Sequence, residues 1–138
     1  MTSDKIKSAM IAYLGTKIDL PVVDAESFDE VELPCVAVKI SQVERMSLAL
    51  AKVESITMQV VYRAHSGDDT RETSLLIADT IAAELIEPAT IKAAINASIE
   101  DGVVVDFLQF AGGSPEWDEA TFECTWEGEC YAQRGTIA

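Results

Sequence analysis

Hydrophobic and polar residues alternate with period two over several stretches of this chain and recur at three- and four-residue spacing over others. The sharpest change of period falls between Glu54 and Leu85. Ile56, Met58, Val60 and Tyr62 lie on one side of an extended chain and Ser55, Thr57, Gln59 and Arg63 on the other, which is the pattern of a half-buried strand. Ile77, Ala78, Ile81, Ala82 and Leu85 then share one side of a helix, with Asp79, Thr80 and Glu84 turned away. Asp69 and Glu72 have the spacing of a capping box at the start of that helix. Pro88 lacks the N–H a helix interior needs, so the helix is expected to stop near Glu87 or to give way to a second one beginning at Pro88.

Upstream, Asp4 to Leu14 predicts a helix with Ile6, Met10, Tyr13 and Leu14 inward, closed by Gly15. Lys17 to Leu33 reads as an acidic connector, broken by Pro21, with room for one short strand. Pro34 opens a strand in which Val36, Val38 and Ile40 alternate with Cys35, Ala37 and Lys39, expected to pair with the Glu54 strand. The excursion between them, residues 41–53, carries Met46, Leu48, Leu50 and Val53 in near alternation. Either the two strands extend into a long hairpin with its tip near Glu44 to Ser47, or an arm projects and lays its apolar residues on a neighbouring subunit. An isolated two-stranded arm is marginal in water, so projection requires a partner.

Downstream, Pro88 to Ile99 predicts a second helical segment, followed by the Asp101-Gly102 turn signal. Val103 to Phe110 reads as a strand with Val103, Val105 and Phe107 on one side and Val104, Leu108 and Phe110 on the other, and apolar character on both sides predicts a central position. Gly112 to Ala120 reads as a turn. The last strand alternates cleanly, with Phe122, Cys124, Trp126 and Cys130 inward against Thr121, Glu123, Thr125, Glu127 and Glu129 outward. The whole predicts one α+β domain over residues 1–138, a mixed or antiparallel sheet of about four strands with helices packed on one face.

Composition alters this picture mainly through charge. The chain has 138 residues, 49% hydrophobic and 25% charged, with no apolar run near the roughly 20 residues of a membrane helix. Three cysteines at unpatterned spacing, and no long apolar stretch near Met1, predict reduced thiols in a cytosol. The net charge of −14 disfavours binding to nucleic acid or anionic lipid. Charge is also segregated: no Lys or Arg occurs between Ala93 and Gln133, and none between Ile18 and Val38.

Candidate chemistry is sparse. His65 is the only histidine, no nucleophile motif surrounds any Ser, Cys or Lys, and no glycine-rich phosphate loop is present, so neither catalysis nor a cofactor is expected. His65, Asp68 and Asp69 could hold a divalent cation, although a loop ahead of a helix favours Asp for capping alone. Cys124 and Cys130 lie about 20 Å apart along a strand, too far to bond or to share a metal. The acidic row Glu123, Glu127 and Glu129, with Asp106 beside it, is the most distinctive surface. It serves either as a solvated sheet face that discourages aggregation or, in a ring, as the wall of a channel through which a negative polymer slides.

The order of elements, with LPCVAVKI opening the first core strand, TMQVVYRAHSGDDTRETSLLIADTIAAEL following the excursion and FECTWEGEC in the last strand, resembles the tail terminator (tail-completion) proteins of long-tailed bacteriophages. The likeness spans Leu33 to Tyr131. It implies a small α/β protein, six of which form a ring that ends tail-tube growth and joins tail to head in the virion, with no catalytic site or cofactor. The implied partners are further copies of the chain, the tail-tube protein and a head-completion or connector protein, with DNA passing through unbound. Glu123, Glu127 and Glu129 as channel wall, and Met46, Leu48 and Leu50 as subunit or tube contact, rest on the residue pattern and not on the family. Two other readings stay open: another head-to-tail connector or tail protein, and an acidic inhibitor that imitates nucleic acid to cap a basic protein.

Overall fold

A computed structural model describes residues 2–26, 34–48, 51–65, 71–99, 103–117 and 121–135. These form an α+β fold in the order α1 (Thr2–Lys17), β1 (Val22–Asp24), β2 (Cys35–Leu48), β3 (Ala51–His65), α2 (Arg71–Leu85), α3 (Pro88–Ser98), β4 (Val103–Trp117) and β5 (Thr121–Gly135). The sheet is mixed, in the order β1-β2-β3-β5-β4. Only β1 and β2 run parallel; the other neighbours are antiparallel. The described sheet thus has five strands, one more than expected, because Val22, Val23 and Asp24 of the acidic connector pair with Val36, Ala37 and Val38.

The core forms between the helices and one face of this sheet. Val36, Val38, Ile56, Met58, Val60, Tyr62, Phe122, Cys124, Trp126 and Cys130 are buried there, as their alternation predicts. Ile6, Met10 and Leu14 of α1, Ala78, Ile81 and Leu85 of α2 and Ile91 and Ile95 of α3 join the same cluster. Lys7 is drawn in to pin α1 to β1 through a 2.6 Å contact with Asp24. That hydrogen bond raises the Lys7 pKa and lowers that of Asp24. Glu84 is not fully turned away as expected. It is half-buried on the flank of α2, where Tyr13 of α1 donates a long 3.5 Å hydrogen bond to its Oε2.

Gly15 does not end α1, which continues to Lys17. Ile18 explains the continuation: it extends the four-residue spacing of Ile6, Met10 and Leu14, is itself buried, and donates its N–H to the Leu14 carbonyl at 2.8 Å. Burial of that fourth anchor outweighs the weak helix preference of one glycine. Gly15 is exposed and an added Cβ meets nothing within 4 Å. Gly15→Ala is therefore expected to stabilise the protein by about 1 kcal/mol, a rise of roughly 3 °C in the thermal midpoint measured by circular dichroism.

Pro88 does open α3, at the first helical turn where its missing N–H costs nothing. The capping box lies partly outside the described residues, because Asp69 is not among them, and α2 is described from Arg71.

β4 corrects two expectations. It lies at the edge of the sheet, not at its centre, and it runs through the Gly112 segment to Trp117 where a turn was expected. The edge position follows from β5 taking the place beside β3, and the strand continues through the glycines by way of two register shifts, between Val105 and Phe107 and between Gly112 and Ser114. At the first, Asp106 is an extra residue, so Leu108 and not Phe107 joins Val105 in the core, and Phe107 turns outward. At the second, Gly112 and Gly113 adopt φ of 105° and 94°, a left-handed conformation that glycine takes without strain. Close approach requires Gly113 as well, since a Cβ there would lie 2.4 Å from the Trp126 indole nitrogen.

The edge is partly covered. The Asn96 side chain on α3 donates to the Val105 carbonyl at 3.1 Å and accepts from the Val105 N–H at 2.8 Å, standing in for a missing strand.

Candidate functional site

The described helices lie on one face of the sheet, and the strand register fixes what the other face carries: Cys35 and Ala37, at one end of it, are fully buried, and only the rows beyond them form an open face among the described residues. Each row crosses β2, β3, β5 and β4 in turn. The first is Cys35, Arg63, Glu123 and Glu116; beyond the Ala37 row come Lys39, Gln59, Glu127 and Ala111, then Gln42, Thr57, Glu129 and Gln109. Further along come Glu44, Ser55, Tyr131 and Phe107, and finally, on β3, β5 and β4, Val53, Gln133 and Val104. The expected acidic row thus lies on β5 of this open face, where Glu127 and Glu129 are exposed.

Glu123 differs from the other two. Arg63 Nε and Nη2 both reach its Oε2 at 2.9 Å. A pair this accessible contributes no more than about 1 kcal/mol, so its main effect is to cancel one negative charge. Glu127 and Glu129 remain as the acidic part of the row.

Two rows past Glu127 the face becomes aromatic. The Phe107 and Tyr131 rings pair with centroids 5.2 Å apart and planes tilted by 31°. They are 37% and 38% exposed, and Val104 beside them is 48% exposed. A tilted aromatic pair with more than a third of its surface accessible is an apolar patch of the kind that folded proteins keep small. The residue pattern alone showed only half of it: Tyr131 continues the outward phase of Glu127 and Glu129, whereas the Asp106 bulge reverses the phase that had placed Phe107 beside Val105.

The excursion is a hairpin, since β2 and β3 pair from Cys35 with Arg63 to Leu48 with Ala51, with one register shift between Ile40 and Gln42. Its described pairing extends past Glu44 to Ser47, where the tip was expected. The excursion is not an isolated pair of strands, because β5 flanks β3 as far as Ala51 opposite Gly135. Of the residues expected to make subunit or tube contacts, Met46 and Leu48 stand in β2 opposite Val53 and Ala51, and Leu50 lies outside the described residues.

His65 ends β3 opposite Thr121, while Asp68 and Asp69 lie outside the described residues. Among the described residues no group of three or more His, Cys, Asp or Glu side chains is placed to hold a metal ion, and no helix is long and apolar enough to cross a membrane. The three thiols are buried. Burial raises the pKa of each, outweighing Arg63 at Cys35, adding to the effect of Asp79 at Cys124, and pushing Cys130 up to about 12.

No model of a known protein family matches the chain, and no curated protein matches it.

Proposed function

We propose that this chain is a structural virion protein that forms a ring at the head-proximal end of a phage tail, ending growth of the tail tube and joining tail to head. The observation that carries the reading is the one-sided packing of the sheet. Three helices cover one face, while the other exposes the carboxylates of Glu44, Glu127 and Glu129 and an aromatic pair within the same few rows. Such a face suits a subunit whose surface is completed by assembly, and the resemblance in element order from Leu33 to Tyr131 supplies the kind of assembly. On this reading the protein is not an enzyme, needs no cofactor and touches DNA only as a passing polymer. Its partners are five further copies, the tube protein and the connector.

Glu127 and Glu129 are assigned to the channel wall, with Glu123 contributing less because Arg63 neutralises it. Subunits of −14 repel one another, so ring closure is expected to need salt, apolar contacts or a tube end as template. Electron microscopy of assembled particles tests the ring: its absence from the tail end sinks the function, and Glu127 and Glu129 facing outward sinks the channel assignment alone. Glu127→Gln with Glu129→Gln is expected to preserve fold and ring while slowing DNA passage. A one-to-one complex with a basic protein, with no ring under any condition, would favour the inhibitor reading instead.

A further inference from the structure

We propose that the aromatic end of the open sheet face, centred on Phe107, Tyr131 and Val104, is a docking surface for a basic, apolar-bearing segment of a different protein, not for a second copy of this chain. The inference rests on the chemistry of this face and not on the ring reading.

The apolar centre calls for a partner that buries it. Phe107, Tyr131 and Val104 occupy neighbouring rows and are each more than a third exposed. Tyr131 lies about 13 Å along β5 from Glu127, so the patch is separate from the far acidic rows yet continuous with them.

The rim selects the partner's charge. Exposed Glu129 is the next outward residue on β5, exposed Glu44 lies in the same row as Tyr131, and exposed Asp106 forms the bulge beside Phe107. Three carboxylates around an apolar centre complement a segment that presents Lys or Arg on either side of a large apolar side chain.

The same rim rejects another copy. Two open faces brought together would oppose acid to acid. The exposed Leu76 and Ile86, on and just after α2, offer a second copy no better seat, since exposed Asp79 and Glu87 stand close to them along the chain. Like charges across an interface are costly, and a chain of −14 has little to offset them.

The test titrates the isolated full chain, labelled with nitrogen-15, with three synthetic ten-residue peptides in 150 mM salt, alternating Lys and Leu, Lys and Ser, or Glu and Leu. Amide shifts are followed residue by residue. The Lys/Leu peptide is expected to shift Ser55, Phe107, Gln109, Glu129 and Tyr131, and to bind at least tenfold more tightly than either control. Phe107→Ser with Tyr131→Ser, both at exposed positions, is expected to weaken it at least tenfold, as is Glu44→Gln with Glu129→Gln. The amide spectrum away from the substitutions reports that each variant is folded. Equal binding of the Lys/Ser peptide would reduce the site to a charge effect, and equal binding of the Glu/Leu peptide would remove the role of the rim. Shifts centred on the helices or on the Glu123 row would place the surface elsewhere. Loss of self-association in the Phe107/Tyr131 variant, measured by sedimentation, would show that a second copy is the occupant. None of these outcomes depends on whether a ring forms on a phage tail, which microscopy decides separately.

Discussion

Trp126→Ala is expected to destabilise the protein by about 3 to 5 kcal/mol, the cost of truncating a large buried aromatic. Trp126 is 4% exposed and sits in β5 between Val60 of β3 and Gly112 of β4, so its indole fills the space between the last two strands and the helices. The surroundings cannot easily close over the gap. Gly113 already rests against the indole, and its neighbours Val60 and Cys124 are held in a paired sheet. Chemical denaturation of the two proteins measures the loss directly. A double-mutant cycle sharpens it: Gly113→Ala places a Cβ 2.4 Å from the indole nitrogen in the native chain, a clash that vanishes once the indole is gone. The cost of Gly113→Ala is therefore expected to fall in the Trp126→Ala background, leaving only the strain of a positive φ. Equal costs in both backgrounds would show that the indole does not lie against Gly113.

Stability is expected to decline as pH rises above about 9, with Cys130 as a principal cause. Burial pushes this thiol from 9.0 to about 12 in the folded protein, so between those values the unfolded chain gives up a proton that the native chain keeps. Because the unfolded state then binds fewer protons, stability falls with increasing pH, at about 1.4 kcal/mol per pH unit for one group. The contribution is complete below pH 9 and lost as pH approaches 12, on the order of 4 kcal/mol in all. Cys35, Cys124, Tyr13 and Tyr62 are shifted in the same direction, chiefly by burial, and Lys7 by its bond to Asp24. Cys130→Ala isolates the single contribution. Its denaturation midpoint is expected to vary less steeply than that of the wild-type chain between pH 9 and 11, and an unchanged slope would mean that Cys130 is not protected. The same burial is expected to keep all three thiols unreactive toward a colorimetric disulfide reagent at pH 8 until denaturant is added.

The sequence by itself determined those elements whose side-chain pattern is periodic and uninterrupted. The buried face of β3, the inward row Phe122, Cys124, Trp126 and Cys130, and the core stripe of α2 follow from periods of two and of about three and a half, because each strand or helix presents one side to one core. Pro88 fixed the start of α3 for an equally local reason, its missing N–H. The outward phase of Glu127 and Glu129 was also legible, so half of the candidate face was visible before the fold.

Tertiary structure decided whatever depends on a partner distant in sequence. Only pairing with β2 makes a strand of Val22 to Asp24, and only the burial of Ile18 carries α1 past Gly15. Only Arg63, 60 positions away, separates Glu123 from the carboxylates that share its phase. The Asp106 bulge is the most consequential case. One extra residue between two hydrogen-bonded registers reverses the faces of the residues from Phe107 to Gly112, until the second shift restores them, and nothing in VVVDFLQF marks where the insertion falls. That reversal sends Leu108 into the core and Phe107 outward to meet Tyr131, so the aromatic half of the open face exists only because of how β4 docks against β5.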